Sequence, residues 1–456
     1  MADVTQERPT SERGEGPLRR VIGPKLLLFF IIGDILGAGV YALTGKVAGE
    51  VGGALWLPFL IAFVVAALTA CSYVELVGKY PKAAGAALYT NKAFGIPFLT
   101  FIVAFAVMSS GITSASTSAR AFGGEYLAEF VSLPVVFVAV VFLVVLALVN
   151  FRGVSESVKA NVVLTLVELT GLLVIIAIGV YAVVTGDGEP SRLTEVESGD
   201  GVVFALLGGA SLAFFALVGF EDSVNMAEEV HEPPRAFPKA LLGGLAITGV
   251  IYILVALTSS LLVDPETLEE STGPLLEVVK AGGVDFPPKL FALIALFALT
   301  NTALINMLMA SRLVYGMSEE RIVPRIFGRV HAGRRTPWIA IIFTTVLGFG
   351  LVTTGQVEQL GDTTALLLLC VFAVVNVAVL VLRRDRVDQD HFRVPTIVPV
   401  LGAITCVVLA SPFTGREGKV YLTAAALMAL GVVLWFVNRA VVGKPRQIDT
   451  ERLGGG

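Results

Sequence analysis

Charge is what this chain has least of. Asp, Glu, Lys and Arg make up 15% of its 456 residues, where water-soluble domains carry roughly 25%, and that deficit excludes an ordinary solvated domain. Cysteine and histidine are rarer still, at three residues each. Cys71, Cys370 and Cys406 all fall within apolar runs, so they read as packing residues and a disulfide framework is excluded. The histidines are scattered, with no metal-ligand spacing. Whole motifs are missing as well. No phosphate-binding loop of the form G-x-x-x-x-G-K-S/T is present, which argues against pumping by nucleotide hydrolysis within the chain. Nor is there an Asp pair, a Ser–Lys or Ser–His pair or a zinc motif of an intramembrane hydrolase, or the period-2 alternation of an outer-membrane barrel. No enzyme activity, cofactor or resident metal is expected.

What the chain has in abundance is apolar length. It is 55% hydrophobic, with a mean hydropathy of +0.82. Runs such as 132–149 and 419–438 approach the ~20 residues a helix needs to cross a bilayer. The pattern predicts an all-α polytopic membrane protein with twelve spans: 22–45, 54–77, 96–122, 132–149, 157–184, 202–229, 239–262, 288–315, 337–354, 364–382, 394–411 and 419–438. Residues 1–20 are polar and aperiodic, as in a disordered arm. They lead directly into a full-length span, so no cleavable signal peptide is expected.

Lys and Arg sort strongly to one face. With the N-terminus cytoplasmic, only Lys46, Arg120, Arg192, Lys280, Lys289, Arg416 and Lys419 of the 33 basic residues fall on the other side. The positive-inside rule then puts both the arm and a tail at 439–456 in the cytoplasm, with the spans in the plasma membrane. Two cytoplasmic connections, 78–95 and 317–335, read as structured surface elements. The second is basic and amphipathic, and its charges suit lipid head groups rather than nucleic acid.

Two spans carry an oddity. Residues 29–43, FFIIGDILGAGVYAL, hold Gly33, Gly37, Gly39 and Asp34 near mid-span. In hydrocarbon, freed backbone groups and a carboxylate have no partner, so such a segment belongs inside protein or beside a polar cavity. Close helix packing is the plainer use of the glycines. Residues 213–225, AFFALVGFEDSVN, repeat the pattern with Gly219 followed by Glu221 and Asp222. Five spans separate the starts of the two segments, so they enter from opposite faces. That parity predicts an inverted repeat, with five helices in 21–185, five more in 200–382, and helices 11 and 12 appended at 394–438. Paired interruptions at corresponding positions point to a transporter's midplane binding site.

At such a break the second half-helix offers unpaired N–H groups at its positive dipole end. In the first span these belong to Ala38, Gly39 and Val40, and they suit a carboxylate, which glycine lets approach the backbone. Free carbonyls near Ile32 and Ile35, joined by those near Phe215, Ala216 and Val218, suit an ammonium group. A ligand with both groups adjacent is an α-amino acid. This reasoning leaves its side chain open. Polyamines fit less well, because they lack the carboxylate.

Four stretches then carry a resemblance: GDILGAGVYALTGKVAGE, YVELVGKYPKAAGAALY, FFALVGFEDSVNMAEEVHEPPRAFPKAL and ASRLVYGMSEERIVPRIFGRVHAGRRTPW. In this order they resemble the amino acid–polyamine–organocation superfamily, and within it the bacterial relatives of cationic amino acid transporters. The resemblance covers nearly all of the chain beyond residue 20. It implies a LeuT-type fold with a substrate site between helices 1, 3, 6, 8 and 10. The carboxylate would fall to the amides of Ala38 and Gly39, and the ammonium to the carbonyls of Ile35, Phe215, Ala216 and Val218. An aromatic at Phe215 or its neighbour would gate the outer side.

Two positions depart from that family. Where proton-coupled relatives carry a lysine on helix 5, this chain has Glu168. A carboxyl in a dry bundle can carry a proton. Equally, it can help to hold Na⁺, with Thr300 and Thr302 as co-ligands, or be locked in structural hydrogen bonds. Asp34 stands where relatives have a small neutral residue, and it suits coupling, charge balance, contact with a cationic substrate or packing alone. Glu221 follows the second break and either lines the cavity or does not. Glu75 ends span two at either a gate or a solvated boundary. The expected function is secondary active amino acid transport by alternating access, most simply as proton symport. An ion-independent exchanger and a Na⁺ symporter are the alternatives in the same class, and a membrane amino acid sensor is the alternative from another.

Overall fold

The computed structural model describes residues 22–82, 85–152, 157–196, 201–387 and 390–442. The expected arm at 1–20 and most of the expected tail lie outside them. The described chain is helical, with seventeen α-helices. The first half contains α1 (Pro24–Ile35), α2 (Ala38–Val51), α3 (Trp56–Lys79), α4 (Gly85–Phe94), α5 (Pro97–Phe122), the single turn α6 (Glu125–Ala128), α7 (Val135–Arg152) and α8 (Ser157–Thr185). The second contains α9 (Val202–Leu217), α10 (Pro233–Leu262), the short α11 (Pro265–Glu270) and α12 (Pro274–Ala281), α13 (Pro288–Glu319), α14 (Trp338–Thr354) and α15 (Val357–Leu382). The chain closes on α16 (Ile397–Ala410) and α17 (Gly418–Val442).

Ten segments among the described residues are long and apolar enough to cross a membrane. They are α1 with α2, α3, α5 with α6, α7, α8, α9 with the turn after it, α10, α13, α15 and α17. The two remaining spans of the expected twelve are apolar but shorter, with 17 residues in α14 and 14 in α16. At about 1.5 Å per residue they reach about 25 and 21 Å. Several helices open on proline, among them α1, α5, α10 and α13, where the missing N–H would have no helical partner and the fixed φ suits the first turn.

Three helix boundaries lie six or seven residues outside the expected spans. Helix α2 continues past Lys46 to Val51, α10 starts at Pro233 rather than 239, and α15 starts at Val357 rather than 364. In the extra turn of α15 a charge is neutralised by a tertiary partner: Asp362 accepts from Arg416 Nε at 2.7 Å and from Ser211 Oγ at 3.0 Å. The connection 78–95 is structured as expected and holds α4, whose buried side includes Leu88 and Tyr89.

The two broken spans sit in the centre. Around them α2 packs on α9, α3 on α10, α5 on α13 and α7 on α14. Helices α7 and α17 face outward, with Leu148 at 58% and Val441 at 80% exposure. At one end of the bundle α11 presses on α2. A Cβ on Gly45 would strike the carbonyl of Leu268, and one on Gly49 the side chain of Glu269. Asp264 caps α11, accepting from the Thr267 amide at 2.9 Å and hydroxyl at 2.7 Å. These bonds hold its carboxyl below the usual carboxylate range.

At the opposite end, Ile22 N–H donates to the Glu229 carbonyl at 3.0 Å and His231 N–H to the Ile22 carbonyl at 2.9 Å. This parallel bridge joins the entry to α1 with the exit from the second broken span. Glu75 is buried near this end rather than solvated. Arg383 grips both of its oxygens, at 2.8 and 2.7 Å, and the Val394 amide donates to it at 3.0 Å.

Candidate functional site

The first interruption is two residues long. Helix α1 ends as the Leu36 amide donates to the Ile32 carbonyl at 2.8 Å, Gly37 is extended, and α2 begins at Ala38. Gly33 is not part of it. It lies inside α1 and is buried there, because a lone glycine costs a helix about 1 kcal/mol and does not by itself unwind it. What requires glycine at Gly37 is space, since a Cβ there would overlap the hydroxyl of Thr302. Gly39 is tighter still. Its Cβ would overlap the Cα of Ala216 and stand 2.8 Å from that residue's Cβ.

The second interruption has a different form. Helix α9 stops at Leu217, Val218 is extended, and Gly219 adopts φ +116°, a conformation glycine reaches without strain. A 3₁₀ segment, Asp222–Glu229, follows in place of a second α-helix. The two interruptions touch, because a Cβ on Gly219 would lie 2.7 Å from the Asp34 carbonyl. Glu221 folds back so that one oxygen accepts from the Gly219 amide at 2.8 Å.

A cavity of about 220 Å³ opens where they meet. Its wall includes Asp34, Ile35, Gly37, Ala38 and Gly39 from the first span, and Phe215, Val218, Gly219, Glu221 and Asp222 from the second. The cavity continues past Met309 and Arg312 of α13 and Asn225 and Glu229 of the 3₁₀ segment. Ala216 packs behind the wall against Gly39 and is not on it. The carbonyls at the end of α9 have no intrahelical donors and close the wall on that side. The second oxygen of Asp34 is buried with no hydrogen-bond partner among the described residues.

Two backbone groups expected to meet a ligand are already engaged. The Ile35 carbonyl accepts from the buried Tyr252 hydroxyl at 2.5 Å. The Ala38 amide donates to Thr302 Oγ1 at 2.9 Å. The carbonyl keeps a second lone pair, whereas the amide has only one hydrogen to give. Gly39, the second residue of α2, has an N–H with no intrahelical acceptor.

Glu168 lies off the cavity wall, fully buried on α8. Its Oε1 accepts from Asn301 Nδ2 at 3.1 Å, and Oε2 has no partner among the described residues. Its backbone carbonyl accepts from the Tyr41 hydroxyl at 2.9 Å. Thr300 bonds back to the Leu296 carbonyl of its own helix at 2.7 Å. So Thr300 stays off the cavity, while its neighbours Asn301 and Thr302 line it. Sequence reasoning passed over Asn301, Tyr41 and Tyr252, whose partners lie 127–217 residues away.

A cavity at the junction of two interrupted apolar segments, inside a multi-pass bundle, is the arrangement of a membrane transporter. The chain belongs to the amino acid permease family, whose model matches residues 22–437, and thus to the amino acid–polyamine–organocation superfamily. It is 29% identical over 446 residues, covering 96% of each chain, to an uncharacterised transporter of Mycobacterium tuberculosis. Cationic amino acid transporter 9, chloroplastic, of Arabidopsis thaliana is 30% identical over 351 residues, 72% of this chain and 60% of that one. The branched-chain amino acid permease BcaP of Bacillus subtilis is 24% identical over 428 residues, 89% of this chain and 90% of that one.

Proposed function

We propose that this protein is a secondary active transporter of amino acids in the plasma membrane. It works by alternating access and is coupled to protons through Glu168. The observation that carries the reading is the cavity at the contact of the two interruptions, lined by Gly39 at the start of α2 on one side and by Phe215 and Val218 at the end of α9 on the other. The twelve spans form a LeuT-type pair of inverted five-helix repeats, with both termini cytoplasmic. The packing of α2 on α9, α3 on α10, α5 on α13 and α7 on α14 supports that arrangement, because an in-plane two-fold axis brings each such helix against its counterpart. On this topology the cavity faces the cytoplasm, while α11 against α2 closes the outside.

The substrate carboxylate binds at the start of α2, at Gly39 and Ala38. The ammonium binds the carbonyls of Ile35, Phe215 and Val218, which line the cavity. The wall holds four carboxylates, Asp34, Glu221, Asp222 and Glu229, against the guanidinium of Arg312, and this excess of negative charge favours an amino acid whose side chain is also cationic. The Arabidopsis relative is named for such substrates. Asp34→Asn is expected to raise KM for lysine about tenfold, one charge contact of ~1.4 kcal/mol, with little change for leucine. Competition uptake measures both, and equal shifts for the two substrates would remove Asp34 from side-chain recognition.

Coupling rests on Glu168, a dry carboxyl with one oxygen held by Asn301 and the other unpartnered, which is room for a proton. The test is uptake into proteoliposomes under imposed pH or Na⁺ gradients. Native protein accumulates substrate when the pH gradient drives protons inward, and Glu168→Gln only equilibrates it while retaining counterflow. Accumulation driven by Na⁺ instead would make Glu168 part of a sodium site. Counterflow that responds to neither gradient would make the protein an exchanger.

A further inference from the structure

Helix α2 lacks a cap of its own. Its N-cap residue is Gly37, which has no side chain to accept from the first turn. The missing acceptor comes from another helix: Thr302 Oγ1, on α13, takes the Ala38 amide at 2.9 Å. The same hydroxyl donates to the Ala298 carbonyl at 3.2 Å, which turns its lone pair toward Ala38. Gly37 leaves the space that lets it come this close.

The preceding residue, Asn301, holds Glu168 through Nδ2 at 3.1 Å. Adjacent positions on one helix therefore touch the buried carboxyl and the first amide of the cradle. A third strap closes the ring, from the Tyr41 hydroxyl of α2 to the backbone carbonyl of Glu168 at 2.9 Å. The ring runs from α2 through α13 to α8 and back, and every side chain in it is largely withdrawn from water.

We propose that Asn301 and Thr302 are a positioning pair that couples the charge of Glu168 to the availability of the Ala38 amide. The proposal rests on the reading of Glu168 as the proton carrier. With Glu168 ionised, its oxygens only accept, so Asn301 presents its NH₂ and Thr302 is seated on Ala38. The hydroxyl then stands in for the substrate carboxylate, and the site is blocked. When a proton settles on the unpartnered Oε2, the carboxyl turns that hydroxyl toward Asn301 as a donor. The Asn301 amide must then turn its oxygen to meet it, and the adjacent Thr302 shifts off Ala38. The freed N–H joins that of Gly39 in receiving a carboxylate. Proton and substrate are thereby taken up together, because each removes an obstacle to the other.

The groups facing Glu168 are few. Tyr41 from α2, Tyr252 from α10 and Asp34 from α1 approach it, with Glu221 and Asp222 beyond Asp34 across the cavity. From α13 the facing group is the Asn301 amide, and α12 meets α8 near Ile178, away from Glu168.

The test needs no substrate. Hydrogen exchange of the segment 36–43 is followed in purified protein at pH 8.5 and 5.5, corrected for the intrinsic rate. In native protein, exchange should be at least tenfold faster at pH 5.5. Thr302→Val, which keeps the shape and removes the acceptor, should exchange fast at both values, and Thr302→Ser should restore the native response. Glu168→Gln, neutral at every pH, should also exchange fast at both. A native-like response in Thr302→Val, or native protection at pH 8.5 in Glu168→Gln, would overturn the proposal. The two readings separate cleanly. If gradient-driven uptake needs Glu168 while this segment ignores pH, the positioning pair alone fails. If the segment responds but Glu168→Gln still accumulates substrate, proton coupling fails.

Discussion

Gly39→Ala reduces uptake by about 100-fold in a protein that still folds. The added methyl would overlap the backbone of Ala216, which has no rotamer to turn aside. Helices α2 and α9 must therefore part at the point where they form the wall of the cavity. Overpacking of this kind costs about 1–3 kcal/mol, so the melting temperature falls without collapse. The transport defect is larger, because a displacement near 1 Å in a positioned site is worth about two orders of magnitude. Gly350→Ala is the control, since a Cβ there meets nothing within 4 Å, and its uptake should match the native protein. Paired uptake and melting measurements in the same detergent preparation decide the matter. Normal uptake by Gly39→Ala would mean that α2 and α9 separate freely and that their contact does not define the site.

Arg383→Ala should destabilise the fold by about 3–5 kcal/mol, the cost of leaving a buried partner charge uncompensated. The side chains of Arg383 and Glu75 are 11% and 3% exposed. Beyond Glu75, the guanidinium donates to the Val394 carbonyl at 2.7 Å and the Thr396 hydroxyl at 2.9 Å. Its removal therefore frees α3, α15 and the segment before α16 from one another. Arg235 and Glu232 make the opposite case, an ion pair with side chains 84% and 69% exposed. Arg235→Ala should cost less than about 1 kcal/mol. Thermal unfolding of the two variants side by side tests the contrast, and equal melting temperatures would mean that water reaches Glu75.

Much of this architecture is legible in the chain because the membrane imposes few rules. Apolar length announces a span, which is how 132–149 anticipates α7 and 419–438 anticipates α17. Glycine beside a carboxylate at mid-span announced both interruptions, at Gly37 and Gly219. The same rule overreached at Gly33, where a helix absorbs a single glycine and the neighbouring Asp34 faces a cavity. The span drawn at 364–382 began too late: Asp362 sits in a helical turn of α15, where Arg416 neutralises it. The hydrogen-bonded setting of Glu168 was out of reach. Nothing near Asn301 or Tyr41 in sequence marks them as its partners, and Thr302, read in the sequence as a co-ligand for Na⁺, shows itself as the cap of α2 only when Gly37 is brought against it. Composition and periodicity report what a residue avoids, and tertiary contact alone reports what it meets.

The bridge between Ile22 and Val230 yokes α1 to the 3₁₀ segment at the very end where the cavity opens. Neither can swing away alone without breaking two main-chain hydrogen bonds. On the alternating-access reading proposed above, the door at this end is a single leaf, hinged at Gly37 and Gly219, and it carries Asp34, Glu221 and Asp222 on one inner surface. Their mutual spacing would travel with the leaf, so the cationic cargo proposed above would stay neutralised while the door moves.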